Sequence, residues 1–331
     1  MSKLEQLWRR GTELLGSKYA IMGGAMSWVS ERNLVSAISN AGGFGVIAAS
    51  SMPPERLLEE IKATQALTTK PFGVNLITMH PQIRELIEVC RASNVSHVVF
   101  AGGLAKIEFI DAAKTFAKVI CFAPALVVAK KLIKRGVDGL IIEGMEAGGH
   151  IGPVSTSVLA QEILPHVTEV PVFVAGGIGR GEAIANYLQM GASGVQLGSK
   201  FVCAHESVAH ENFKKLFIRS AARDAGVSVQ LDADFPVIPV RAINNKATEE
   251  FNRCQRDTIA EFHAGKLSKE AAQLKIEHFW AGALRRAVID GDVERGSVMA
   301  GQSVGMVTAE QSCAEIINEL VAQAEGQLKN F

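Results

Sequence analysis

The sequence has no excess of charge, no CxxC pair and no long apolar run, and each lack removes a class of function. Lys+Arg and Asp+Glu number 34 each, so nothing suggests the basic surface that nucleic acid or an anionic membrane favours. The five cysteines, Cys90, Cys121, Cys203, Cys254 and Cys313, are scattered and sit near no histidine at zinc-finger spacing. They read as reduced thiols of a cytoplasmic protein. No stretch reaches the ~18 apolar residues of a membrane span, and the opening MSKLEQLWRRGTELLG lacks the apolar core and cleavage site of a signal peptide. Residues 1–19 are instead expected to form a short amphipathic helix on the outside of the fold, at its base. His80, His97, His166, His205, His210, His263 and His278 show no HxH or HExxH spacing, which sets transition-metal catalysis aside. Of these, His205 stays in view because it follows the last strand candidate. No GxGxxG follows an early strand, which disfavours a Rossmann dinucleotide domain.

What is present is a large apolar content, 48% of 331 residues, arranged in alternation. From about residue 20 to 220, short runs rich in Val, Ile and Phe alternate with longer segments of helical period. The strand candidates are 20–26, 45–50, 72–77, 97–103, 118–123, 139–144, 171–177 and 194–199. Continuous apolar strands joined by helices imply a parallel sheet covered on its outer face, and eight regular units close more readily as a (β/α)8 barrel than as an open sheet. The fold expected is therefore α/β, a TIM barrel over 20–222 with a mostly helical C-terminal excursion over 223–331. The charged stretch at about 245–285 is open to two uses, a lid or a homodimer contact. Beyond it, the GSVMAGQ loop is placed to return to the active face.

In such a barrel, reactive groups sit at the C-terminal ends of the strands. The sixth strand candidate ends in GMEAGGHIG, where Gly148 and Gly149 let the backbone approach a flat ligand and place His150 above it. Histidine is the usual base near neutral pH, with an unperturbed pKa of ~6.5. The seventh ends in AGGIGRGEA and the eighth in GVQLGSKF. There Gly176, Gly177, Gly198 and Ser199 suit a phosphate held by backbone N–H groups near a helix start, although glycines at such places also serve plain tight turns. Gly23, Gly24, Ala25 and Met26 after the first strand could lie against an aromatic ring system, with Asn75 bonding its polar edge; a packed barrel mouth would use the same residues. Glu143 and Gln196 are polar residues at buried positions and need partners. Glu146 reads equally as a supporting residue or an exposed one.

Taken together, GGAMSWVSERNLVSAISNAGGFGVI, PFGVN, GMEAGGHIG, PVFVAGGIGRGEAIANYLQMGASGVQLGSKFV and GSVMAGQ resemble the nitronate monooxygenase family, formerly the 2-nitropropane dioxygenases, and its close relative the flavin-type enoyl-acyl-carrier-protein reductase. The resemblance runs from about residue 20 to 310. It implies FMN at the barrel mouth, its ring region contacted by Asn75 and flanked by the GGA and Met26, its phosphate held by Gly176, Gly177, Gly198 and Ser199, and Gln302 closing over it. The family usually has Thr where Ser199 stands, a swap that keeps the hydroxyl. His150 matches the family's catalytic histidine. The activity implied first is oxidation of alkyl nitronates with O2, using His150 as base. The alternative is NADH-dependent reduction of an enoyl thioester; a non-catalytic barrel binding a phosphorylated metabolite is a third reading. The partners implied are accordingly a small-molecule substrate with O2 or NADH, and neither nucleic acid nor a membrane.

Overall fold

The computed structural model describes residues 1–232 and 237–329. Of the expected C-terminal segment, 233–236 and 330–331 therefore lie outside the described residues. Strands β1 (Ile21–Gly23), β2 (Val46–Ala48), β3 (Gly73–Ile77), β4 (His97–Ala101), β5 (Lys118–Phe122) and β6 (Gly139–Glu143) follow one another along the chain. A two-residue strand, β7 (Gly149–His150), then lies outside the barrel, after which β8 (Val172–Ala175) and β9 (Gly194–Leu197) complete an eight-stranded parallel sheet. Its order is β1-β9-β8-β6-β5-β4-β3-β2. The ends meet where the Gly23 N–H donates to Phe44 O and the Phe44 N–H to Ile21 O, both at 2.9 Å. The expected barrel is thus present, and each of its strands falls inside a predicted run. The runs are longer than the strands because their ends become the loops of the mouth.

The outer helices form where apolar residues recur at helical spacing. In the helix Ile83–Ala92, Ile83, Leu86, Ile87 and Cys90 are the buried residues, an i, i+3, i+4, i+7 stripe that must face the sheet. At the base, the helix Arg9–Leu15 plugs the barrel from below. The Leu14 carbonyl lies 2.8 Å from His97 Nε2, and a Cβ on Gly11 would lie 2.0 Å from Ser193 O. The last helix, Cys313–Lys329, returns to the barrel against the helix Gly181–Gln189, so closely that a Cβ on Gly181 would lie 2.0 Å from Leu320 O.

Between these the chain makes an excursion. The stretch expected to be helical over about 245–285 forms two helices, Lys246–His263 and Lys269–Val288. Val240, Phe251, Ile259, Ala272, Ile276 and Trp280 form a second apolar core there, with Met299 touching both it and the barrel core. A small antiparallel sheet, which the alternation did not predict, underlies the helices: β10 (Ala225–Val227), β11 (Val240–Ile243) and β12 (Val298–Met299), with β7 joined to β11. Among the described residues no helix is long and apolar enough to cross a membrane, and no group of three or more His, Cys, Asp or Glu could hold a metal ion.

Candidate functional site

Side chains alternate across a strand, and residues paired laterally in parallel strands point to the same face. A Cβ on Gly23 would meet Ile38 of the outer helix Arg32–Asn40 at 2.6 Å, so Gly23 faces outward and Met22 inward. Met22 pairs with Gln196, Gln196 with Ala175, and Ala175 with Glu143. All four therefore point into the barrel. Asn75 joins them, because its lateral series through Val99 and Ile120 ends on Gly139, four residues before Glu143 on the same strand. Three polar side chains, Asn75, Glu143 and Gln196, thus line the upper interior, with the small Ala48 paired to Asn75 and Ala175 to Glu143.

These groups are incompletely satisfied. Asn75 Nδ2 donates to Val99 O at 3.1 Å, which leaves its Oδ1 available to a ligand. Among the described residues, neither the Gln196 amide nor the Glu143 carboxylate has a hydrogen-bond or ion-pair partner, while Gln196 is only 7% exposed. Burial pushes the Glu143 carboxyl up to about 7, from 4.5. It is half-buried at the strand's end, open on one side but hemmed in by protein where water would otherwise solvate its charge.

That shift predicts a pH-dependent stability. With the folded value above the unfolded one, ionisation is easier in the unfolded chain. The group costs nothing below pH 4.5, and its penalty grows as pH rises towards 7, where the folded carboxyl ionises too. Glu143→Gln should therefore raise the urea midpoint at pH 8, corresponding to up to about 3 kcal/mol, and leave it unchanged at pH 4. Urea titrations of both proteins at the two pH values check this.

Above the barrel, the loops after β6, β8 and β9 meet. Gly176 and Gly177 adopt φ of 94° and 73°, a region open to glycine at little cost. A Cβ on Gly176 would lie 2.9 Å from Gly144 O, and one on Gly177 3.0 Å from the Glu146 side chain, so both let the β6 loop pack close. Among the described residues, no turn or loop hydrogen bond uses the N–H of Gly176, Gly177 or Gly198. Ser199, 8% exposed, accepts the Gly301 N–H at 3.2 Å, and the Gln302 N–H donates to Glu146 O at 2.9 Å. The MAGQ loop therefore does return to this face.

After β1 the chain turns tightly. Ser30 Oγ donates to Gly24 O at 2.7 Å, the Met26 N–H donates to Ser30 Oγ at 3.0 Å, and Met26 Sδ lies 3.4 Å from where a Cβ on Gly198 would be. A Cβ on Gly24 would lie 3.8 Å from the Cγ of Gln196, and Ala25 and Met26 are half-buried beside it. The same loop carries Trp28 at φ 68°, and Arg285 of the excursion lies 5.8 Å over its ring. A non-glycine residue held there is strained, and the helix Lys269–Val288 reaches it through Arg285.

His150 is exposed, and its backbone belongs to β7, where it pairs with Val240 of β11 while Gly149 pairs with Arg241. Two residues beyond the sequence reading hold this loop. Thr156, 1% exposed, donates to Glu146 Oε2 from both its N–H and its hydroxyl at 2.8 Å, and the hydroxyl lies 3.1 Å from Gly176 O. Arg241, 4% exposed, donates from Nε to Met145 O at 2.9 Å and from a terminal nitrogen to Ala225 O. Glu146 is thus a supporting residue. A lone arginine within VIPVRAI was the available signal for Arg241. His205 is exposed, with its backbone N–H on Gln311 O at 2.9 Å beside the last helix, and does not join the group. Thr156→Val should loosen the β6 loop and destabilise the fold by about 1–3 kcal/mol, the cost of stranding a buried acceptor, as thermal melting would show.

Comparison with known proteins agrees with this fold. The family model of nitronate monooxygenase matches residues 9–93 and 82–323. A curated relative from Rhodococcus jostii, (3aS,4S,5R,7aS)-5-hydroxy-7a-methyl-1-oxo-octahydro-1H-indene-4-carboxyl-CoA dehydrogenase, is 30% identical over 95% of this chain and 94% of its own. A probable nitronate monooxygenase of Staphylococcus saprophyticus is 28% identical over 84% of this chain and 92% of its own. Among solved structures, FabK from Thermotoga maritima superposes with a TM-score of 0.86 at 33% identity, covering 97% of each chain. This chain is therefore an enzyme of the nitronate monooxygenase family, a flavin-dependent oxidoreductase built on a TIM barrel.

Proposed function

We propose that the cofactor is FMN and the substrate an acyl thioester, the chain passing reducing equivalents from NADH to the β-carbon of an enoyl thioester. The observation that carries the cofactor is the convergence of the backbone amides of Gly176, Gly177 and Gly198, none of which enters a turn or loop hydrogen bond among the described residues, beside the hydroxyl of Ser199. Converging N–H groups suit a phosphate dianion. A single such cradle, with no second nucleotide-binding glycine motif in the chain, suits FMN.

When bound, the flavin supplies the two-electron chemistry. The chain's own residues do the rest. The three glycines and Ser199 hold the phosphate, Asn75 and Gln196 give the ring's polar edge its hydrogen bonds, and Gly24, Ala25 and Met26 border it. Gly149 keeps the backbone close, Gln302 and its loop exclude water, and His150 gives or takes the proton at the substrate.

The thioester is favoured by the Rhodococcus relative, whose named substrate is a CoA thioester and which spans nearly all of both chains, and by EGMEAGGHIG and GDVERGSVMAGQ, which are nearer the reductase branch of the resemblance. Nitronate oxidation with O2 is the second reading, favoured by the matching family model and the staphylococcal relative; it needs only the same base and a small pocket. Purified protein reconstituted with FMN should be yellow. NADH consumption that depends on crotonoyl thioester supports the first chemistry, oxygen consumption with propionate 3-nitronate supports the second, and a colourless protein after reconstitution overturns both.

A further inference from the structure

Among the described residues, Glu143 is the one acid on the barrel strands, and no hydrogen bond or ion pair balances its charge. On β6 it follows Gly139, Leu140, Ile141 and Ile142; from β8 it meets Ala175 by lateral pairing, while the last residue of β5, Phe122, pairs two residues earlier with Ile141. The charged groups of β5 and β4 that share this inward face, Lys118 and His97, start their strands at the opposite end. In the adjoining loop, Glu146 is engaged by Thr156, and Arg241 by the Met145 and Ala225 carbonyls. His150 stands beyond them on β7. A half-buried carboxylate with no paired cation among the described residues is a poor anchor but a good proton store, because its charge answers to whatever enters the mouth.

We propose that Glu143 is the proton store of the site, binding one proton when two electrons enter the ring system and releasing it when they leave. The inference rests on the flavin reading above. The step balances simply. The electrons come from a reduced nicotinamide, the proton comes from water through the open side of the mouth, an O–H bond forms at a carboxyl oxygen, and the carboxyl is neither oxidised nor reduced. Negative charge arriving on the ring raises the carboxyl's proton affinity. Because burial already holds that affinity near neutrality, at about 7, uptake falls in the pH range above 7, where the oxidised enzyme carries the carboxylate.

Two measurements test this, one of them without flavin. In the flavin-free protein, infrared difference spectra between pH 5.5 and 8.5 should contain the carbonyl stretch of a buried carboxylic acid that titrates near neutrality and is missing in Glu143→Gln. In the reconstituted protein, one extra proton per two electrons steepens the fall of the bound flavin's midpoint potential above pH 7 by ~30 mV per pH unit, and Glu143→Gln should lack that increment. Superimposable potential curves for the two proteins overturn the proposal, as does a flavin-free spectrum with no titrating acid. Protein that takes up no FMN overturns the cofactor reading instead, and the infrared titration still reports on Glu143.

Discussion

His150→Ala should lower turnover by ~10²–10⁴-fold, the usual effect of removing an effective general acid or base, while the flavin stays bound. The two halves of this expectation have separate physical grounds. The phosphate donors proposed at Gly176, Gly177 and Gly198 belong to the loops after β8 and β9, whereas the imidazole belongs to β7, so its removal leaves the cradle untouched. The side chain is exposed, so truncation opens no cavity in a packed core and the melting temperature should change little. Steady-state rates, the flavin absorbance spectrum and a thermal melt are sufficient. Full turnover in the variant would remove the imidazole from the chemistry under either substrate reading.

Gly148→Val should be equally damaging through packing. A Cβ at position 148 would lie 2.6 Å from both the Ala300 carbonyl carbon and the Gly301 N. Both are backbone atoms and cannot swing aside as the end of a side chain can. Gly301 makes the reciprocal demand, since a Cβ there would lie 2.9 Å from Glu146 O. Overpacking usually costs ~1–3 kcal/mol, and a clash of main chain with a β-branched residue belongs at or above the top of that range. The MAGQ loop should lift, breaking the Gln302 N–H to Glu146 O and Gly301 N–H to Ser199 Oγ bonds. The expected result is a lower melting temperature together with at least tenfold weaker FMN retention. Gly152→Ala is the control, because nothing lies within 4 Å of its added Cβ; it should match the parent in both measurements.

The barrel was legible in the sequence because its signal is local. Parallel strands covered by helices must be continuously apolar, and runs such as GLIIEG and PVFVAGG announce them with their loops attached. Asn75, Glu143 and Gln196 stood out for a related reason, as polar residues within those runs, and lateral pairing brings them to one interior. The small sheet was not legible. β7 and β12 are two residues each, too short for any period to register, and β11 pairs with residues 92 and 57 positions away along the chain, in its Arg241–Gly149 and Ala242–Met299 rungs. Thr156 was missed because its importance lies in what it joins, the Glu146 carboxylate and the Gly176 carbonyl, which only the folded chain brings together.

The rung between Val240 and His150 makes the aim of the imidazole a property of the segment after the barrel. Exchanging residues 223–300 with those of a relative would redirect that ring without altering any barrel strand. Variation in that one contiguous stretch would then change how a substrate meets the imidazole, while the loops after β8 and β9, where the phosphate is proposed to sit, stay unchanged.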